Sequence, residues 1–269
     1  MPASFSVERI FDVLEVLSDA PGGLSVTELA HRLSMPQSAA HRALTALTAR
    51  GVVMQPQPGR EYRLTLSLPS LGIRFLSGLR INDIFQPVLD ELARHSKEHV
   101  RLAIGGPDHS LTWLYKAQGA DSVVRIDSRS GRPVELHLTA AGKAWLAALP
   151  PKDAIALAQA GGLDKETGER GERAIRTKKD LLTELQTIRE QGIAYEIEEG
   201  VPGVSALGCV VYASGAAERS LVGALSIAGP TFRMDRKRLE SYAESIKATA
   251  AKLEKLWPST RWTAGDGTL

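Results

Sequence analysis

At 269 residues the chain is long enough for about two domains, and its 43% hydrophobic and 24% charged residues are ordinary for a globular protein. A formal net charge of +2 excludes a global electrostatic case for a polyanionic partner, so any such case rests on local clustering. The single cysteine, Cys209, excludes an intrachain disulfide framework.

The opening "MPASFSVERIFDVLEVL" carries acids where a signal peptide needs an uninterrupted apolar core. No uncharged apolar run approaches the roughly 18–20 residues that span a bilayer. A cytoplasmic protein with no membrane partner is expected. In "SVERIFDVLEVLSD", Val7, Ile10, Phe11, Leu14 and Leu17 recur at three- and four-residue spacing, one stripe of an amphipathic helix, and "APGGLS" ends it. Ser25-Val26-Thr27-Glu28 is a capping box: the Ser25 hydroxyl accepts the Glu28 amide while Glu28 reaches back. The short helix that follows turns Leu29 and Leu33 inward.

"SMP" breaks this helix at Pro36, a residue tolerated in a first turn. A third helix is predicted from about Pro36 to Arg50, with Gly51 as its stop. Its buried stripe is Ala40, Leu44 and Leu47, which leaves Gln37, Ser38, His41, Arg42 and Thr45 on the outer side. "VVMQ" and "EYRL" around "PQPGR" read as a hairpin. Helix, helix, tight turn, helix and hairpin make a winged helix-turn-helix, whose last helix enters the DNA major groove.

No acid occurs between Glu28 and Glu61, a span with Arg32, Arg42, Arg50, Arg60 and two histidines. An acid there would face phosphate and oppose counterion release. Arg42 and Gln37 are the candidates for base edges, with Ser38, His41 and Thr45 beside them. Arg32, Arg60 and Tyr62 are the candidates for backbone contacts. The expected partner is double-stranded operator DNA.

Leu71, Phe75 and Leu79 form an apolar face on a connecting helix, which suits self-association as a dimer reading two half-sites. A second helix carries Ile84, Val88, Leu89 and Leu92. "HVRLAIG", "LTWLYKA" and "SVVRID" then read as short strands. "TAAGKAWLAALP" reads as a helix, followed by a Pro-initiated helix and the loop "AGGLDKETGERG". "TKKDLLTELQTIREQG" is an amphipathic helix with Thr177 as cap and Gly192 as stop. "IAYEIE", "SALGCVVY" and "SLVGALSIAG" complete the strands, and residues 235–257 are expected to form one long final helix. The fold class is α+β. The predicted divisions are 1–66, the winged helix-turn-helix; 67–82, the linker helix; 83–257, a sheet-and-helix domain suited to enclosing a small ligand; and 258–269, a disordered tail.

These segments, above all "LSVTELAHRLSMPQSAAHRAL", "LHLTAAGKAWLA" and "GIAYEIEEGVPGVSALG", resemble the IclR family of bacterial transcriptional regulators over about residues 7–256. The resemblance implies a C-terminal domain of GAF-like fold, dimers or dimers of dimers on operator DNA, control of catabolic genes, and small organic acids or aromatic catabolites as effectors. One departure stands out. The family has proline after G-V-x-x-I-A-A, and this chain has "GVSALGCV", with Gly208 and Val210.

Thr139 suits a helix N-cap, and the amides of Ala140, Ala141 and Gly142 after it would point outward unpaired, ready for an anion. By resemblance the effector pocket uses Val134, Ala140, Ala141, Glu196, Val204, Ala206, Ser226 and Ala228. The many alanines leave room for an aromatic or larger carboxylate. Arg101, a charge within an apolar strand, is a candidate partner for that carboxylate, and Trp113 or Tyr115 for stacking on a ring.

No catalytic, metal or cofactor site is expected. Cys209 lies in a predicted strand without a partner, and "GVSAL" lacks the second glycine of a nucleophile elbow. His95 and His99 have no third ligand, and no phosphate-binding glycine loop occurs. "RKR" and "KKD" read as solvated helix faces. The alternative reading, a small-molecule-binding enzyme or sensor whose winged helix serves protein contacts, requires converging catalytic groups, and no convincing pair is found.

Overall fold

The computed structural model describes residues 6–57, 60–78, 81–119, 121, 123–128, 130–165, 170–214 and 219–257; the expected tail 258–269 lies outside them. The chain divides into two compact units between Leu79 and Arg80.

The first unit contains α1 (Val7–Ser18), α2 (Val26–Arg32), α3 (Gln37–Ala49), β1 (Val53–Met54), β2 (Arg63–Leu64) and α4 (Ser67–Gly78). Its core gathers Val13, Leu17, Leu29, Ala40, Leu44, Leu47 and Val53. The stripe of α1 is rotated from expectation. Val13 and Leu17 are buried, whereas Val7 and Phe11 are 69% and 59% exposed. The apolar arc of α1 is wide enough that periodicity alone does not say which edge meets the core.

Ser25 Oγ caps α2 by accepting the Glu28 amide at 3.1 Å. The Glu28 carboxylate does not reach back; it accepts instead from Arg32 Nε one turn on, at 2.9 Å. Two closures of one kind then frame α3. At the end of α2, Ser34 stands at φ 48° while its amide donates to the His31 carbonyl and the Met35 amide donates to the Ala30 carbonyl. At the end of α3, Gly51 stands at φ 69°, with Gly51 and Val52 donating to the Thr48 and Leu47 carbonyls. Both are Schellman motifs, which satisfy carbonyls that a helix end leaves open. Pro36 is the N-cap residue of α3. β1 and β2 pair antiparallel, Val53 opposite Leu64, and Leu24 bridges to Tyr62. On α4, Leu71 and Phe75 of the expected apolar face are about half exposed, and Leu79 lies outside the described residues.

The second unit begins with α5 (Ile81–Ser96), β3 (His99–Gly105) and β4 (Leu111–Gln118). It continues through α6 (Ala140–Ala148), α7 (Pro151–Ala160), α8 (Lys178–Gln191), β5 (Ala194–Ile197), β6 (Val204–Ser214) and β7 (Arg219–Pro230) to α9 (Arg236–Ser241) and α10 (Ala243–Leu256). The strands form one antiparallel sheet in the order β4-β3-β7-β6-β5. Helices cover both faces, α6 and α8 on one, α5 and α10 on the other.

Two expectations are corrected. The described residues 123–127 of "SVVRID" form no strand. Side chains of β4 hold that segment instead: Gln118 donates to the Ile126 carbonyl and Lys116 to the Ser128 carbonyl. The final helix breaks at Tyr242 into α9 and α10, where the Tyr242 hydroxyl is drawn to the Ser96 carbonyl at 2.8 Å.

Side chains alternate across a strand, and here the alternation is also one of size. Toward α5 and α10 the sheet presents Val100, Leu102, Leu207, Leu225 and Ile227. Toward α6 it presents Ala103, Ala206, Gly208, Ala224, Ser226 and Ala228. Gly208 sets the distance of α6: a Cβ there would lie 2.8 Å from the Ala140 carbonyl carbon and the Ala141 nitrogen. The helix therefore starts directly on the strand, a contact that alanine at this position would push apart.

Candidate nucleic-acid interface and ligand-facing sheet

α3 carries the residues expected to read DNA. Its buried side holds Ala39, Ala40, Ala43, Leu44 and Leu47, so Gln37, Ser38, His41, Arg42 and Thr45 project together from the exposed side. Gln37 Nε2 donates to Thr27 Oγ1 at 3.3 Å, tying the start of α3 to α2. Thr45 Oγ1 donates to the His41 carbonyl of its own helix. Pro36 provides no side-chain cap and the first turn holds no acid, so the amides at the start of α3 meet no competing carboxylate. Arg32 is exposed and paired with Glu28. Arg60 is exposed on the hairpin, its carbonyl accepting from Gln55. Tyr62 corrects its expectation: it is buried in the core of the first unit, because its strand position faces the helices rather than solvent.

In the second unit, the register places every strand residue of the expected effector set on the face covered by α6. Arg101 pairs with Ser226 and Ser226 with Gly208; Ala228 pairs with Ala206 and Ala206 with Glu196; Val204 lies one step along, opposite Pro230. Trp113 lies opposite Ala103 on that face. Val134, Ala140, Ala141, Ala206 and Ala228 meet Trp113 in one apolar cluster.

Arg101 is the unusual member. Its guanidinium carbon lies over the Trp113 ring, 3.8 Å from the centroid, and its Nε is buried without a hydrogen-bond partner. Burial lowers its pKa to about 10, against the attraction of Glu196. Arg101 thus covers one face of the Trp113 ring, the ring expected to stack on a ligand. A cation over indole is worth about 1–2 kcal/mol when desolvated, so the tryptophan holds the guanidinium in place. Gly142 is corrected too: its amide is capped by Thr139 Oγ1 at 3.1 Å.

Glu196 is buried, and its Oε1 accepts from the Gly200 amide at 3.3 Å. Burial and then the neighbouring Glu199 raise its pKa to about 7. Glu199 itself is bound by Lys143 Nζ, 2.7 Å from both its carboxylate oxygens, and Glu184 of α8 completes the pairing at 3.2 Å. Sequence reasoning missed Lys143, Glu184 and Glu199. Their signal was the composition of α6: a helix apolar all round is buried, so its one lysine must find a carboxylate. His99 was weighed only as a metal ligand. It is buried with Nε2 3.0 Å from Ser128 Oγ, and α5 ends before it, so it shares no helix face with His95. Cys209 packs on the opposite face, its thiol pushed up to about 12 by burial. Among the described residues no group of three or more His, Cys, Asp or Glu could hold a metal, and no helix is long and apolar enough to cross a membrane.

A helix-turn-helix with an exposed, acid-free third helix, joined to an α/β domain, marks the class: a DNA-binding transcriptional regulator. The chain belongs to the IclR family. Residues 6–57 match the IclR helix-turn-helix domain and residues 73–255 the bacterial transcriptional regulator IclR C-terminal domain. It is 29% identical over 248 residues to the HTH-type transcriptional regulator KdgR of Escherichia coli, covering 92% of this chain and 90% of that protein. It is 33% identical over 210 residues to the HTH-type transcriptional regulator Rv1719 of Mycobacterium tuberculosis, covering 76% of each. Among solved structures, an IclR transcriptional regulator from Alicyclobacillus acidocaldarius shares the fold with a TM-score of 0.78 at 21% identity, covering 94% of this chain and all of that one. An IclR homolog from Microbacterium hydrocarbonoxydans complexed with 4-hydroxybenzoate gives 0.74 at 18% identity, covering 92% and 97%.

Proposed function

We propose that this protein is an effector-responsive regulator whose second unit binds a small carboxylate and whose first unit reads an operator as part of a dimer or dimer of dimers. The observation that carries the effector reading is Arg101, a buried cation with an unsatisfied Nε on a sheet face whose central strands β6 and β7 present alanine, glycine and serine beside it. A buried donor of this kind favours an anionic ligand, because a charge-assisted bond removes the cost of leaving it unpaired. The small side chains favour a flat apolar body behind the carboxylate, as in benzoate or 4-hydroxybenzoate.

On the DNA side, the exposed row Gln37, Ser38, His41, Arg42 and Thr45 supports major-groove reading, with Arg32 and Arg60 toward phosphate. The half-exposed apolar residues of α4 support self-association. Effector binding acts on DNA only as far as it prefers one of two conformations of the protein.

Fluorescence anisotropy with the protein's own upstream intergenic DNA, against scrambled DNA, tests the reading. Specific affinity about 10³-fold above scrambled, shifted by one of a panel of aromatic and aliphatic carboxylates, is expected. Arg42→Ala is expected to lose about 1–3 kcal/mol on the specific site, and less on scrambled DNA. Equal loss on both DNAs would move Arg42 to the phosphate backbone.

A further inference from the structure

We infer that a carboxylate entering this sheet face binds together with one proton taken up by Glu196, so that the site selects monoanions and weakens as pH rises above neutral. The inference rests on the effector reading above.

The argument is a charge balance. Among the described side chains, two cations act on Glu196, Lys143 and Arg101. Lys143 on α6 is committed to Glu199 and to Glu184 of α8. Lys116 at the β4 edge is bound to Asp127 at 2.7 Å. Of the two cations that act on Glu196, only Arg101 on β3 has no carboxylate contact, and His99, two residues along the same strand face, is buried and held neutral, its pKa lowered to about 4 by burial and then by Arg101.

Between Arg101 and Glu196 the sheet carries only Ser226, Gly208, Ala228 and Ala206. A carboxylate held by Arg101 therefore meets a face of small side chains, closed over Gly208 by the start of α6, with Glu196 on its far side. One uncommitted cation cannot neutralise both an ionised Glu196 and an incoming carboxylate where water is scarce. Protonating Glu196 resolves the conflict: a solvent proton forms an O–H bond on the carboxylate, which becomes a donor in place of a repelling anion. A second carboxylate on the ligand would have no cation left.

Burial and Glu199 already raise the Glu196 pKa to about 7. Below that pH the proton is in place before the ligand arrives and affinity is flat. Above it each binding event must draw a proton from solvent, and affinity falls about tenfold per pH unit.

Isothermal titration calorimetry on the full-length protein, with benzoate, 4-hydroxybenzoate and the dianion phthalate at pH 6–8.5, tests this. Two buffers of different ionisation enthalpy count the protons. The expected result is a monoanion whose dissociation constant is level near pH 6–6.5 and rises about tenfold between pH 7.5 and 8.5, close to one proton taken up at pH 8.5, and weaker binding of phthalate. Glu196→Gln, which keeps a neutral donor, is expected to bind with no pH dependence. If that variant does not fold, the wild-type proton count decides alone. Binding without pH dependence or proton uptake overturns the inference while leaving the effector reading intact. A dependence that persists in Glu196→Gln moves the proton to His99 and overturns it as well. Failure of every acid to bind at any pH removes the effector reading and this inference with it.

Discussion

At the scale of single residues, Ser34 holds a conformation that costs an L-residue about 1–2 kcal/mol, in the closure that ends α2. Glycine adopts it freely but loses more freedom on folding, about 0.5–1 kcal/mol. Ser34→Gly is therefore expected to stabilise the first unit by roughly 0.5–1 kcal/mol, measured by urea unfolding; a destabilised variant would mean that the serine side chain contributes something its backbone does not show. The residues read correctly from sequence were those whose roles are local. Ser25 caps its own helix, Thr139 and Thr177 cap theirs, and Gly51 ends α3. Arg101, Trp113 and Tyr62 were harder, because what each touches is set by strand register. Arg101 and Trp113 come within 3.8 Å only because β3 and β4 pair with an irregularity beside Ala103.

Among the elements, α6 has the most demanding surroundings. It is buried from Ala140 to Ala147, its start rests on Gly208, and Arg189 of α8 donates to its Ala147 and Leu149 carbonyls. Its one charge, Lys143, is bound to Glu199 in a buried pair. Removing one partner of such a pair typically costs about 3–5 kcal/mol, while replacing both by apolar groups is often neutral. Lys143→Ala is thus expected to destabilise the second unit by about that amount in chemical denaturation, and the double change Lys143→Met with Glu199→Leu to recover most of it. If the double variant is no better than the single one, Glu184 or the loop around Glu199 depends on the lysine in another way. Helices were the most readable elements, since their periodicity and caps lie within a dozen residues. The strand expected at 122–127 failed because β-forming residues become a strand only beside a partner with free backbone groups, and the β4 side chains reach that segment first. The break at Tyr242 was hidden for a related reason: the carbonyl to which its hydroxyl donates, that of Ser96, is 146 residues away.

At the scale of the whole second unit, two buried histidines link stability to acid. His99 and His137 both have pKa values lowered to about 4, first by burial and then by a nearby arginine, Arg101 or Arg170. Between pH 6.5 and 4 the unfolded chain binds protons that the folded imidazoles refuse, so their contribution to stability is present above pH 6.5 and lost as pH falls through that window. Glu196, raised to about 7, works in the opposite sense. His137→Asn is expected to lose less stability than wild type between pH 6.5 and 4.5, read from thermal unfolding across that range; parallel curves would show that His137 titrates normally. The sheet itself has a longer consequence. Successive residues of β6 and β7 answer to different demands, Leu207, Leu225 and Ile227 to the packing of α5 and α10, and Ala206, Ser226 and Ala228 to whatever lies under α6. Mutation can therefore rewrite the face under α6 through every second codon of β6 and β7, while the intervening codons keep the packing against α5 and α10, and descendants of one such chain can diverge on one side of the sheet without first surviving a loss of fold.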